Sequence, residues 1–116
     1  MGPINRYNLE EVRALWMKMA QIAAGMLHGR IGIIEGSRSL HTLQHSLPEI
    51  ELDPDFTVFD AIVSETDHLP IGQERALWSK TALLEKDNEI SLAEKHYKDK
   101  ILQACQNIIQ RKNKIE

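Results

Sequence analysis

NLEEVRALWMKMAQIAAGMLH, residues 8–28, is the run from which the architecture follows. Within it Val12, Leu15, Trp16, Met19, Ile22, Ala23 and Met26 recur at spacings of three and four, the period of one helix face. Asn8 followed by Glu11 has the form of a capping box, and Gly29 is a natural stop, so the pattern predicts a helix over 8–28. Each large apolar side chain that such a helix buries contributes roughly 1.5–3 kcal/mol. A helix with this much to bury is a main wall of a core.

Immediately downstream, Ile33, Gly36, Leu40, Leu43 and Leu47 form a second stripe, and Pro48 disfavours helical geometry at the residue before it, which predicts a helix over 32–47. The short Gly29-Arg30-Ile31 link implies an antiparallel pair. Gly25, Gly32 and Gly36 would let the two backbones approach closely at their crossing, at ~1 kcal/mol each relative to alanine within a helix. Residues 48–53 read as a connector. Asp53-Pro54 then supplies an N-cap and a first-turn proline for a third helix over 54–64, carrying Phe56, Phe59, Ile62 and Val63. Strand content near 56–63 stays open, because Phe56, Val58, Asp60 and Ile62 also share one face at period two. Residues 64–72 read as loop, punctuated by Pro70 and Gly72.

A fourth helix is predicted over 80–111, with Ser79 as its cap and Leu84, Ile90, Tyr97, Ile101, Ala104, Cys105 and Ile108 on its apolar side. Asp87-Asn88 could break it in two. The ends, 1–6 and 112–116, are expected to fray. The expectation is an all-α single domain over 1–116, a bundle of about four helices.

Composition agrees with one globular unit: 116 residues, 42% hydrophobic and 27% charged, without a long Gly, Ser or Pro tract. A single cysteine permits no internal disulfide and fits a reducing compartment, so the cytoplasm is the expected location. No signal peptide is visible, and His28 and Arg30 interrupt the most apolar stretch before it reaches membrane-spanning length. The net charge of −3 has the wrong sign for a chain that grips phosphate backbone, so neither nucleic acid nor membrane is expected as a partner.

Charge is unevenly spread. Between Pro48 and Asp67 stand seven acids, Glu49, Glu51, Asp53, Asp55, Asp60, Glu65 and Asp67, with no lysine or arginine, while Lys95, Lys98, Lys100, Arg111, Lys112 and Lys114 crowd the last helix. Such an acidic face would speed encounter with a basic partner. It would equally serve as an ordinary solvated surface.

The residues that could carry chemistry have a bland alternative each. His41 and His45, four apart on a helix, point two imidazoles the same way, but Thr42 follows the first histidine where a metalloprotease has Glu, and no third ligand is near in sequence. No metal and no cofactor are therefore expected. Arg38 borders the apolar stripe and needs a partner, for which Glu65 or Asp67 is the expected choice; together with His41 and His68 these would form a structural clamp, or, less simply, an acid-base centre. Cys105 lies among apolar positions, where a thiol behaves as a small hydrophobe. No nucleophile elbow, dinucleotide fingerprint or phosphate loop occurs, and no catalytic residue is assigned.

The strings Gly32-Ile33-Ile34-Glu35-Gly36-Ser37-Arg38 with Leu40, then Ser64-Glu65-Thr66-Asp67-His68-Leu69-Pro70-Ile71-Gly72, then Trp78 and Lys86-Asp87-Asn88-Glu89-Ile90, resemble a group of small uncharacterised bacterial proteins. Some proteins of this type resemble the immunity partners of contact-dependent growth-inhibition toxins. The resemblance implies a non-enzymatic module that binds and neutralises a cognate toxin domain, in many cases a nuclease with a basic cleft. On that reading Glu49, Glu51, Asp53, Asp55 and Asp60 meet the toxin, with Phe56 as an aromatic anchor. Two other functions remain open at this point: a small metal-dependent or acid-base hydrolase using His41, His45 and His68 with Glu65 or Asp67, and a self-associating regulatory protein using its last helix as a seam.

Overall fold

In the computed structural model, which describes residues 8–115, helix α1 (Leu9–Leu27) starts where Asn8 Oδ1 accepts the backbone N–H groups of Glu10 at 3.1 Å and Glu11 at 3.3 Å. Those donors have no partner inside the helix, and the asparagine supplies one. The helix ends at Gly29, whose φ of 74° is the left-handed conformation that a glycine adopts without steric penalty. Arg30 and Ile31 both donate back to the Gly25 carbonyl, reversing the chain.

Helix α2 (Ile33–Gln44) then runs back against α1. At this corner the glycines divide. A Cβ on Gly25 would stand 2.5 Å from Ile31 Cδ1, and one on Gly36 would collide with the Met26 thioether, so a larger residue at either position would force those side chains to move. Gly32 faces open space and caps the helix instead. α2 stops three residues short of the expected Leu47. Ser46 and Leu47 donate to Leu43 and Gln44 in a tightened last turn, and Leu47, held extended before Pro48, swings its side chain into the core. Pro48–Ile50 adds a 3-10 turn within the connector and buries Ile50.

Helix α3 (Pro54–Thr66) has Asp53 as its cap, with Asp53 Oδ1 accepting from Asp55 N at 3.0 Å. It buries Phe56, Phe59, Ile62 and Thr66, spacings of three, three and four, which settles 56–63 as helix rather than strand. Two residues beyond the expected end, Thr66 remains helical and donates its hydroxyl to the Ile62 carbonyl at 2.6 Å. A 3-10 segment, Gly72–Leu77, starts at the last residue of the expected loop and runs through residues to which the sequence assigned no element.

Helix α4 (Lys80–Ile115) begins with Ser79 Oγ accepting from Ala82 N. It passes Asp87-Asn88 without a break. Arg75 grips both Asp87 oxygens, at 2.6 and 3.0 Å, so the carboxylate is not competing for its own backbone. Beyond the expected end at residue 111 the helix continues to Ile115, which packs on the core. The expected frayed segment 1–6 and Glu116 lie outside the described residues.

Among the described residues there is no strand, and one core of side chains from all four α-helices holds the bundle together. Its centre is Met19, Ala23, Leu40, Phe56, Phe59, Ile62, Ile101, Cys105 and Ile108. α4, about 54 Å long at 1.5 Å per residue, matches the 50 Å long axis of the molecule. Only its C-terminal half contributes fully buried residues, Ile101 to Ile108. No described helix is long and apolar enough to cross a membrane.

Candidate functional site

The acidic run does not form one open face. Asp53 Oδ2 and Asp55 Oδ2 both accept from Arg111 Nη1, at 2.7 and 3.1 Å, and Asp55 Oδ1 accepts from Asn107 Nδ2 at 2.9 Å. α4 thus folds its own cation onto the acids that were expected to meet a partner. Phe56 is corrected outright: it is fully buried, edge-on to Trp16 with ring centroids 5.8 Å apart, and cannot anchor anything outside the molecule. A phenylalanine two residues after a helix-starting proline points inward here because α3 lays that side on the core.

What remains of the acids expected to meet a partner lies at the end of α2. Glu49 and Glu51 are exposed on the connector. Asp60, on α3, stays 41% exposed at its side chain while His41 Nε2 stands 3.0 Å from its Oδ1. The same Oδ1 accepts from Gln44 Nε2 at 2.8 Å. Gln44, His45, Pro48, Glu51 and Asp60 line a notch of about 330 Å³. Gln44 is otherwise buried, and its Oε1 has no hydrogen-bond partner.

The clamp exists with different partners. Arg38 Nη2 donates to the carbonyls of Thr66 at 2.7 Å and Leu69 at 3.0 Å, and Nη1 to Glu74 Oε1 at 3.2 Å. It therefore ties α2 to the end of α3 as expected, but through the Thr66 carbonyl, which also accepts from Leu69 N, the Leu69 carbonyl just beyond the helix, and a more distant glutamate. Glu74 also accepts from Ile71 N at 2.7 Å, and this bond, followed by the one from Arg38, holds its carboxyl below the usual range. Neither Glu65 nor Asp67 takes the arginine. Glu65 sits by Tyr97, and a hydrogen bond between them raises the phenol's pKa, with burial and charge adding to the effect. Asp67 lies 3.9 Å from its neighbour His68, both largely exposed.

The residues proposed for hydrolysis are split in the same way. His41 and His45 pack edge to face, 4.6 Å apart, beside the notch. His68 and Glu65 instead line a second groove, of about 310 Å³, with Glu89, Leu92 and His96 of α4. No three metal-ligating side chains come together among the described residues. Cys105 is buried, with its Sγ 3.8 Å from Met26 Sδ, and desolvation pushes its thiol from 9.0 up to about 12.

Sequence reading missed Gln44, Glu74, Arg75 and Arg111. For Arg111 a signal existed: it follows Ile108 by three, which continues the buried stripe rather than the solvated face.

The family profile described as "Protein of unknown function (DUF2489)" matches residues 6–108. The chain belongs to this family. The matched span takes in all of α1 to α3 and α4 as far as Ile108, so the DUF2489 region includes the notch, the Arg38 clamp and the buried centre of the core. No match was found among curated proteins or among solved structures.

Proposed function

We propose that this DUF2489 protein is a cytoplasmic immunity module that binds and neutralises a cognate toxin domain with a basic cleft. The observation that carries the reading is the residual acidic edge: Glu49 and Glu51, exposed on the connector, beside Asp60, half open on α3. Arg111 has taken Asp53 and Asp55, and Asp60 keeps its second oxygen beyond the one that Gln44 and His41 share. A short acidic edge on a rigid bundle raises the encounter rate with a basic surface and costs little ordering on binding. The partner contact is accordingly narrower than the whole acidic run, and Phe56 has no part in it.

Co-expression with the variable C-terminal domain of a neighbouring large secreted protein tests this directly. Rescue of growth by the native chain supports the reading, and no rescue from any such domain removes it. The double variant Glu49→Lys, Glu51→Lys slows association with the toxin and weakens the effect of salt upon it.

A second reading is favoured by a separate observation. Leu84 (73% exposed) and Leu92 stand out of the surface along the half of α4 that buries nothing completely, with Leu77 at the end of the 3-10 segment just before it. Leu84 and Leu92 are eight residues apart, about 80° around the helix. Two copies pairing along this half would cover them, and exposed apolar side chains of this size mark interaction surfaces. Sedimentation at two concentrations separates the readings: a strict monomer removes self-association and leaves the immunity reading intact.

A further inference from the structure

We infer that the notch at the end of α2, floored by Gln44 and Asp60 and rimmed by Glu51, binds a guanidinium group, that of an arginine side chain. As the side chain of a partner this rests on the immunity reading above; as a chemical preference of the notch it does not.

The Gln44 amide carries the case. Its side chain is 97% buried, and its Nε2 is spent on Asp60. That bond fixes the orientation of the amide, because turning it over would set Oε1 against a carboxylate. Oε1 is left below the surface with no donor, although buried polar atoms are almost always paired. Gln44 Nε2 and His41 Nε2 both meet Asp60 Oδ1, which leaves Asp60 Oδ2; the exposed Glu51 and the carbonyl end of the twelve-residue α2, where the helix dipole is negative, add acceptors and negative charge, with His45 as the other lining side chain able to donate.

A site built this way selects a cation that donates in several directions and needs no acceptor. Guanidinium is planar, has five donors and no acceptor, and meets a carboxylate with two parallel bonds. Its flat edge can bring an N–H to Gln44 Oε1, which has almost no exposed surface, once the amide shifts toward the notch; a quaternary ammonium, with no N–H at all, gains nothing there. A divalent cation is less suited, since no three metal-ligating side chains converge among the described residues. The His45 ring, held edge-on to His41, adds a flat wall on which a guanidinium can stack.

The test is an NMR titration of the full chain with methylguanidinium chloride, following the Gln44 side-chain amide and the backbone amides of His45 and Asp60. Tetramethylammonium chloride and methylammonium chloride at equal ionic strength are the comparisons. Saturable shifts confined to these groups are expected with methylguanidinium. Glu51→Gln, on an exposed residue that leaves the core untouched, weakens binding several-fold, and Gln44→Met by about tenfold, the loss expected for one hydrogen bond to a charged group. Equal, unsaturable shifts with tetramethylammonium would mean diffuse charge screening and overturn the proposal. Equal saturation by methylammonium would overturn the preference for guanidinium. If methylguanidinium binds and no toxin is neutralised, the notch stands and the immunity reading falls. If a toxin is neutralised and the notch ignores methylguanidinium, the reverse holds.

Discussion

Arg111 stands over the ring of Trp16, its guanidinium carbon 5.0 Å from the ring centroid, and so joins the far end of α4 to α1. The same guanidinium bonds Asp53 and Asp55, and Phe56 lies 5.7 Å away. One side chain thus closes the aromatic corner of the core and satisfies the cap of α3. Arg111→Ala leaves two carboxylates side by side without a cation. The cost should be about 1–3 kcal/mol, the usual range for charge-assisted hydrogen bonds. Arg111→Lys recovers only part of it, since an ammonium cannot reproduce the stacked fork. Urea denaturation measures both, and Lys114→Ala, on an exposed residue of the same helix end, should stay within about 0.5 kcal/mol of the native chain.

Arg38 poses a different question, whether a clamp made to carbonyls is local or global. Its donors end on Thr66 and Leu69, so Arg38→Ala strips partners from the terminus of α3 and frees the segment that follows. A loss of about 1–3 kcal/mol is expected, with faster amide exchange concentrated over 66–78 rather than spread through the core. Uniform acceleration across α1 and α4 would show instead that the clamp governs the whole fold.

These two arginines mark where sequence reading stopped. The caps at Asn8, Asp53 and Ser79 were legible because a cap is a conversation between residues two or three apart. The helices themselves were legible because apolar period three to four has one structural meaning over twenty residues. Arg111 and Asp53 are 58 residues apart, and nothing local announces that they meet. Counting Arg111 as surface charge therefore made the acidic face look larger than it is, and Phe56 was placed in that face although its spacing to Phe59 and Ile62 already put it on the buried stripe. Arg38 was correctly expected to need a partner near the end of α3. The choice of carboxylate failed because helix-terminal carbonyls are acceptors that no residue letter displays.

The 3-10 segment Gly72–Leu77 should be the acid-sensitive part of the molecule. Glu74 is held below the usual carboxylate range by the Ile71 amide and by Arg38, and Asp87 is held low by Arg75. A carboxyl whose folded pKa lies below its unfolded value stabilises the fold fully above the unfolded value, and that contribution is lost as pH falls through the folded one. Amide shifts over 71–79 should therefore move at a pH below the ordinary carboxylate range, ahead of the core. Glu74→Gln and Asp87→Asn should each flatten the response. A pH profile identical in both variants would place the acid sensitivity elsewhere.

Cys105 gives the sharpest contrast between a reactive type of residue and an inert setting. Its thiol is fully buried beside Met26 and pushed from 9.0 up to about 12, so at neutral pH the thiolate that attacks disulfides is almost absent. A disulfide reagent at pH 8 should label the native chain only as fast as the protein opens, and the rate should rise with urea along the unfolding curve. The fold also favours the protonated thiol, so stability that depends on Cys105 is full below the unfolded value and declines as pH rises above it toward about 12. If packing is its whole role, Cys105→Ala leaves a small cavity, costing about 1 kcal/mol for one lost group of this size. Cys105→Ser should be worse despite matching the shape more closely. It puts a hydroxyl where the side-chain contact of the thiol is a thioether, a weak acceptor, and burying that hydroxyl costs about 1–3 kcal/mol unless it turns back to the Ile101 carbonyl, as the Thr66 hydroxyl does to Ile62. Equal stability of the two variants would mean that the pocket around Cys105 supplies a hydrogen-bond partner, and the thiol would then have to be regarded as a polar group in use.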